Sequence, residues 1–264
     1  MLTTADVKRL SKLKERNGRE EQSRFLIEGK RAVMEALANH ASIEVIIVSV
    51  AIDSAKFSDV YSSAEKQGVA VEEVPAAKFA KLSSTETSQG IVAIASTLSI
   101  TLEDVLREVR SKRSALVLLL DRISDPGNLG TILRSASWFG VDAVLTAEGT
   151  VDIYNSKVIR SAMAAIAGIN VVPGIKTAET ISLLRSAGFS IVASSQSGKK
   201  NYAEYIFPGK SCIVFGSEAT GIQDKILDVC DESVMIPRIG QMESLNVGVA
   251  ASIIMAELVR QRSA

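Results

Sequence analysis

Residues 115–140 read ALVLLLDRISDPGNLGTILRSASWFG, and the change of pattern inside this stretch decides the fold class. Ala115 to Leu120 form an unbroken apolar run, the composition of a strand buried on both faces of a parallel sheet. Pro126 and Gly127 then enforce a turn, and Asn128 is placed to cap a helix. Leu129, Ile132, Leu133 and Ala136 recur at helical spacing as the buried stripe of that helix. Strand, polar loop and helix in this order are the unit of an α/β sheet, whose ligands bind beyond the carboxyl ends of strands. Arg134 falls outside the stripe, so it is either a surface cation or a group aimed at an anion or a partner.

Working outward, the alternation continues on both sides. Downstream come a strand at 143–146, a helix at 155–166, a strand at 170–172, a helix at 178–187, strands at 190–193, 212–215 and 233–236, and a closing helix at 245–262. Upstream lie a helix at 31–39, strands at 43–48, 69–74 and 90–95, a helix at 55–67, and a short basic segment around Lys78. Strands alternating with helices predict a mostly parallel sheet covered on both sides. Residues 97–113 lack a dense apolar run and hold Arg107, Arg110, Lys112 and Arg113, which predicts a linker between a unit at 1–96 and one at 114–264. At the N-terminal end Val7, Leu10 and Leu13 are spaced three apart, predicting an amphipathic helix over Leu2 to Glu15 with a cationic outer face.

Composition removes several chemistries. The 264 residues are 47% apolar, enough for one large or two small cores, and 30 basic residues balance 30 acidic ones. Binding to nucleic acid would therefore depend on local charge. A single histidine, His40, and two cysteines exclude metal sites and histidine-based triads, which need several such groups at set spacings. Cys212 and Cys230 form no CxxC pair and read as small buried thiols of a reducing compartment. No apolar run reaches the roughly 20 residues of a membrane span, and no targeting segment is evident, so a cytoplasmic protein is expected.

Two further loops follow apolar strands. In Phe215-Gly-Ser-Glu-Ala-Thr-Gly221 the glycines allow close backbone approach to a ligand, and Glu218 between them is an acceptor for that ligand or a plain loop acid. The stretch from Ile236 to Asn246 is rich in turn residues and enters a helix so apolar that it must be interior or at a subunit contact. Ser244 reads as its N-cap. Neither GxGxxG nor GxxxxGK[ST] is present, so dinucleotide and P-loop readings are unsupported.

The segments DRISDPGNLGTILRSASWFG (121–140), VFGSEATGI (214–222) and IPRIGQMESLNVGVAASI (236–253) resemble, in order and spacing, the three motifs of SpoU-type (TrmH-like) RNA ribose methyltransferases of the SPOUT superfamily. NSKVIRS (155–161) is similar to the family segment between the first two motifs. FLIEG (25–29) and QGIVA (89–93) are similar to the family's N-terminal substrate-binding domain. The resemblance implies an α/β chain with a C-terminal trefoil-knot methyltransferase domain and a small N-terminal α/β domain like RNA-binding ribosomal proteins. It implies S-adenosylmethionine as cofactor, a homodimer, and methylation of a ribose 2′-hydroxyl in structured RNA, ribosomal RNA first and transfer RNA as the alternative. A non-catalytic RNA-binding module and a base methyltransferase of related fold are the other readings.

Carried over residue by residue, the resemblance makes Asn128, Arg134, Glu218, Ser244 and Asn246 the polar catalytic set. It makes Gly216, Ile236 and Leu245, with Ser194 as a further candidate, the cofactor-binding backbone. A ribose hydroxyl is a poor nucleophile unless its proton is removed or its developing charge stabilised. The family proposal gives the proton to the arginine; a guanidinium, with a pKa above about 12, is better suited to positioning phosphate and ribose. Where the family often has glycine after Arg160, this chain has Ala164. Lys12, Lys14, Arg16 and Arg19, with Arg110 and Arg113 in the linker, are the expected phosphate contacts.

Overall fold

A computed structural model describes residues 2–85, 87–163 and 165–263. Contacts divide the chain into two compact units, residues 1–98 with 152–168 and residues 99–151 with 169–264. The first 98 residues contain α1 (Thr4–Ser11), α2 (Arg16–Gln22), β1 (Arg24–Glu28), α3 (Lys30–Ala38), β2 (Ile43–Ser49), α4 (Ser58–Lys66), β3 (Ala70–Val74), α5 (Ala76–Leu82) and β4 (Ile91–Ser96). The remainder contains α6 (Leu102–Arg110), β5 (Ala115–Asp121), α7 (Pro126–Trp138), β6 (Ala143–Ala147), α8 (Ser156–Ala162), β7 (Asn170–Ile175), α9 (Thr177–Ser186), β8 (Ser190–Ser194), β9 (Lys200–Asn201), β10 (Lys210–Gly216), α10 (Asp224–Leu227), β11 (Glu232–Met235) and α11 (Val247–Ser263).

In the first unit the sheet runs β1-β4-β2-β3, antiparallel except for the β2–β3 pair. The N-terminal helix is shorter than its periodicity predicts. A Thr3–Asp6 capping box starts α1, and a 3-10 turn at Lys12–Lys14 with extended Glu15 breaks it, while Val7, Leu10 and Leu13 still reach the core. The segment around Lys78 is a helix, α5, because Phe79 and Leu82 need burial.

Packing departs from the contiguous division read from sequence in two places. Helix α6, placed in the linker, buries Val105, Leu106 and Val109 in the core of the second unit. Residues 152–168 join the first unit: Tyr154 lies against Phe25 with ring centroids 4.7 Å apart, and its hydroxyl accepts from the Leu98 amide at 2.6 Å.

The second unit is a seven-stranded sheet in the order β7-β6-β5-β10-β8-β11-β9, parallel throughout, as the apolar β5 requires. This α/β architecture, with β11 inserted between β8 and β9, fits the expected knotted SPOUT class. Every residue of β5 is buried. The chain before β9 crosses β11 so closely that a Cβ on Gly198 would lie 2.4 Å from the Val234 carbonyl carbon. We expect Gly198→Ala to cost about 3 kcal/mol or more, as overpacking against rigid backbone does, lowering Tm by about 6–12 °C. Gly240→Ala, where a Cβ meets nothing within 4 Å, is the control; equal melting curves for the two variants would refute this account of Gly198.

Candidate active site

The three polar loops leave the carboxyl ends of β5, β10 and β11, and β5 is hydrogen-bonded directly to β10. Glycine is required where the second loop starts, since a Cβ on Gly216 would lie 2.2 Å from the Gly221 carbonyl carbon; a Ser217–Gly221 bridge closes the turn. Glu218 is carried at its tip.

Side-chain hydrogen bonds join all three loops. Asn128 Nδ2 donates to Glu218 Oε1 at 2.8 Å, and Asn246 Nδ2 donates to Asn128 Oδ1 at 2.7 Å. A carboxylate only accepts, so Glu218 dictates which way the Asn128 amide points, and Asn128 in turn dictates Asn246. The other carboxylate oxygen accepts from the Ser124 amide at 3.3 Å and the Ser124 hydroxyl at 3.2 Å. Partial burial pushes the Glu218 carboxyl upward, but the bond from Asn128 and main-chain donors at Glu218, Ser124 and Asp125 outweigh it, leaving the pKa below the ordinary glutamate value.

Two caps differ from expectation: one frees the Asn128 side chain, and the other uses Asn246 Oδ1 while leaving its Nδ2 to bond Asn128. Asp125, not Asn128, caps α7, accepting the Asn128 amide at 2.8 Å with Pro126 at the first helical position. Asn246, not Ser244, caps α11, its Oδ1 accepting from Gly248 at 2.9 Å and Val249 at 3.2 Å. Ser244 is exposed and makes no hydrogen bond among the described residues. Arg134, on the outer face of α7, is exposed and has no hydrogen bond or ion pair among the described residues. The geometry thus joins Asn128, Glu218 and Asn246 and leaves Arg134 and Ser244 outside that chain of bonds.

Of the backbone candidates, Gly216 is buried, Ser194 and Ile236 are half-buried, and Leu245 is exposed. Ser194 is register-paired with Val234, so it borders the exit of β11. Ile239, Met242 and Leu245 are exposed apolar side chains on the third loop. Ala164 lies outside the described residues.

Arg19 corrects the expected cationic strip. It is buried, ion-paired with Asp152, and its Nη1 donates to the Leu13 and Lys14 carbonyls at 2.9 and 3.0 Å. A guanidinium enclosed in this way is structural. Arg16 is paired with Glu20 at 2.7 Å, while Lys12, Lys14, Arg110 and Arg113 are exposed. Ser124, Asp125, Asp121 and Gln223 are site-forming residues that the sequence reading missed. Only the Asp-Pro dipeptide at 125–126 carried a signal, as a helix start. Among the described residues no His, Cys, Asp and Glu cluster suits a metal ion.

Residues 115–256 match the family model described as SpoU rRNA Methylase family. The chain belongs to the SpoU rRNA methylase family. It is an RNA methyltransferase of the SpoU/TrmH type, and residues 4–93 match an MRM3-like substrate binding domain. This SpoU chain is 31% identical over 240 residues to a Staphylococcus epidermidis protein assigned to the TrmH family of tRNA/rRNA methyltransferases, covering 90% of the chain and 96% of that protein. A crystal structure of an RNA 2′-O ribose methyltransferase superposes on the SpoU chain with a TM-score of 0.82 at 32% identity, covering 99% of this chain and 98% of that one. An AdoMet-bound rRNA methyltransferase from Sinorhizobium meliloti gives a TM-score of 0.83 at 25% identity, covering 98% and 96%.

Proposed function

We propose that this chain transfers a methyl group from S-adenosylmethionine to a ribose 2′-hydroxyl of structured RNA, with ribosomal RNA as the substrate. The observation that carries this reading is the hydrogen-bonded chain Asn246–Asn128–Glu218, which fastens together three motif loops that leave the carboxyl ends of parallel strands, with the exposed cation Arg134 on the same helix as Asn128. The likeness to a ribose methyltransferase structure supports it.

The residues present fit the cofactor. Ile239, Met242 and Leu245 give an otherwise exposed loop apolar cover for an adenine ring, and the strand ends at Ser194, Gly216 and Ile236 give main-chain groups for polar edges. S-adenosylmethionine, when bound, supplies a methyl group on a sulfonium centre. The chain's own residues hold the nucleophile. Arg134 presents a planar guanidinium with several donors, suited to grip the phosphate beside the reacting ribose. Glu218 holds Asn128 in one orientation, leaving its second N–H available, and Asn246 ties the helix α11 start to the same amide.

Calorimetry with S-adenosylmethionine separates this reading from a non-catalytic RNA-binding module. Binding is expected; its absence would favour the module. RNA affinity should fall with salt. Lys12, Lys14, Arg110 and Arg113 are four exposed cations, and four phosphate contacts lower affinity by about 10²-fold between about 50 and 200 mM salt. A flat salt response would remove these residues from the RNA interface.

The reading includes a homodimer. Trp138 at the end of α7 is 85% exposed and Val249 on α11 is 43% exposed, and Ser135 and Ser252 hydroxyls 2.8 Å apart fasten these two helices together. Exposed aromatic surface of this kind marks a contact. Sedimentation should give twice the chain mass, with Trp138→Glu shifting the protein toward monomer; a wild-type monomer at micromolar concentration would contradict it. No helix among the described residues is long and apolar enough to cross a membrane. The proposed substrate places the enzyme in the cytoplasm.

A further inference from the structure

Asp121 ends β5 with a fully buried carboxylate, register-paired with Gly216 of β10. A carboxylate withdrawn from water needs donors, and here they come from two directions. Gln223 donates its amide N–H at 3.3 Å and its Nε2 at 3.0 Å. Arg122 donates Nε and Nη2, both at 3.3 Å, and its Nη2 also reaches Thr220 Oγ1 at 3.4 Å.

Arg122 holds this position in a left-handed backbone conformation, φ 59°, which is costly for a residue with a Cβ. Gly149 leaves it room, since a Cβ there would meet Arg122 Cγ at 3.3 Å. Ile123 is then fully buried, and the turn brings the Ser124 N–H and hydroxyl to Glu218. Residues 121–124 therefore hold the second loop at its exit through Gln223 and along its length through Thr220 and Glu218. A glycine at 122 would make the same turn without strain. What glycine would lack is the guanidinium that spans Asp121 and Thr220.

We propose that Asp121 and Arg122 are positioning residues: their ion pair locks the loop carrying Glu218 against the loop preceding α7, so that Glu218 meets Asn128 in one geometry. Neither residue bonds to Asn128, Asn246 or Arg134 among the described residues. This inference rests on the reading of Glu218 and Asn128 as part of the methyl-transfer site.

The test uses the full-length protein, with Arg122→Gly, which relieves the backbone, and Asp121→Asn, which removes the charge at constant shape. The first readout is the carboxyl carbon-13 titration of Glu218, which does not depend on turnover. Two charged groups border the loops that hold Glu218: Asp125, whose carboxylate caps α7, and Arg122, which bonds Thr220. In wild type Glu218 titrates below the ordinary glutamate value; in both variants it moves up toward that value as its donors loosen. The second readout is kinetic: kcat falls by about 10-fold to 10²-fold, the scale of a small misplacement, while KM for RNA changes by less than about twofold, since substrate contacts remain. An Arg122→Gly protein that melts like wild type and keeps the wild-type Glu218 titration overturns the proposal. If Asp121→Asn does not fold, Arg122→Gly decides alone. A moved titration in a protein whose wild type transfers no methyl group supports the locking and places the failure on the functional reading instead.

Discussion

Arg134→Ala is expected to lower methyl transfer by at least about 10²–10³-fold, the loss seen when one preorganised charge-stabilising donor is removed, while leaving stability within about 0.5 kcal/mol of wild type. The two halves of this expectation have the same origin. The Arg134 side chain is exposed and makes no hydrogen bond or ion pair among the described residues, so nothing in the fold depends on it. A cation that the fold does not use, placed on the helix that carries Asn128, is kept for something outside the chain. Arg134→Lys should recover only part of the rate, because a point charge cannot reproduce the two-pronged grip of a guanidinium on phosphate. Single-turnover rates beside thermal melts measure both effects. Near-normal transfer in Arg134→Ala would remove it from the reaction.

Glu218→Gln should lower kcat by about 10²-fold with little change in shape. The carboxylate accepts from Asn128 on one oxygen and from Ser124 on the other. Glutamine has one oxygen, so whichever way it turns, its NH2 faces a donor. Either Asn128 loses its partner, and with it the bond order that reaches Asn246, or the first loop loses Ser124. The pH dependence follows from the same bonds. The Glu218 pKa is depressed in the folded protein despite partial burial, so the ionised form and the bonds it accepts are complete above the ordinary glutamate pKa of about 4.3; they are lost only as pH falls through the lower folded value. The acid limb of kcat/KM assigned to this group should therefore lie below about 4.3, and it should vanish in Glu218→Gln. An acid limb unchanged by the substitution would assign it to another group.

Much of this architecture is visible in the sequence because it rests on local pattern. The run Ala115 to Leu120 has no polar residue that a one-sided strand would show, and it forms a fully buried interior strand between β6 and β10. Leu129, Ile132, Leu133 and Ala136 are all fully buried in α7. What escaped depends on partners distant in the chain. Strand β1 is five residues long and owes its existence to pairing with β4, which lies far along the chain, in one register from Arg24–Ser96 to Glu28–Val92. Arg19 looks like its neighbours Lys14 and Arg16 until Asp152 is brought against it.

The site shows the same division. Asn128, Glu218 and Asn246 stand out as polar residues in loops after apolar strands, but the order of bonds among them needs the sheet to place β5 beside β10. Cap assignment misled in both loops for one reason. Asp125 and Asn128, like Ser244 and Asn246, are both good caps by residue type. The choice falls to the residue whose partner is the helix amide, leaving the other for the site in the first loop and for solvent in the third. The buried Asp121 is invisible to pattern, because an acid after six apolar residues reads as the end of a strand.

The most direct test of the central claim is the position of the transferred methyl group. Wild-type protein is incubated with methyl-tritiated S-adenosylmethionine and ribosomal RNA lacking the modification, and the labelled RNA is hydrolysed with alkali. A methyl on the ribose 2′-hydroxyl blocks cleavage of the neighbouring phosphodiester, so the account predicts tritium in alkali-resistant dinucleotides. Tritium in ordinary mononucleotides, with the methyl on the base, would contradict it.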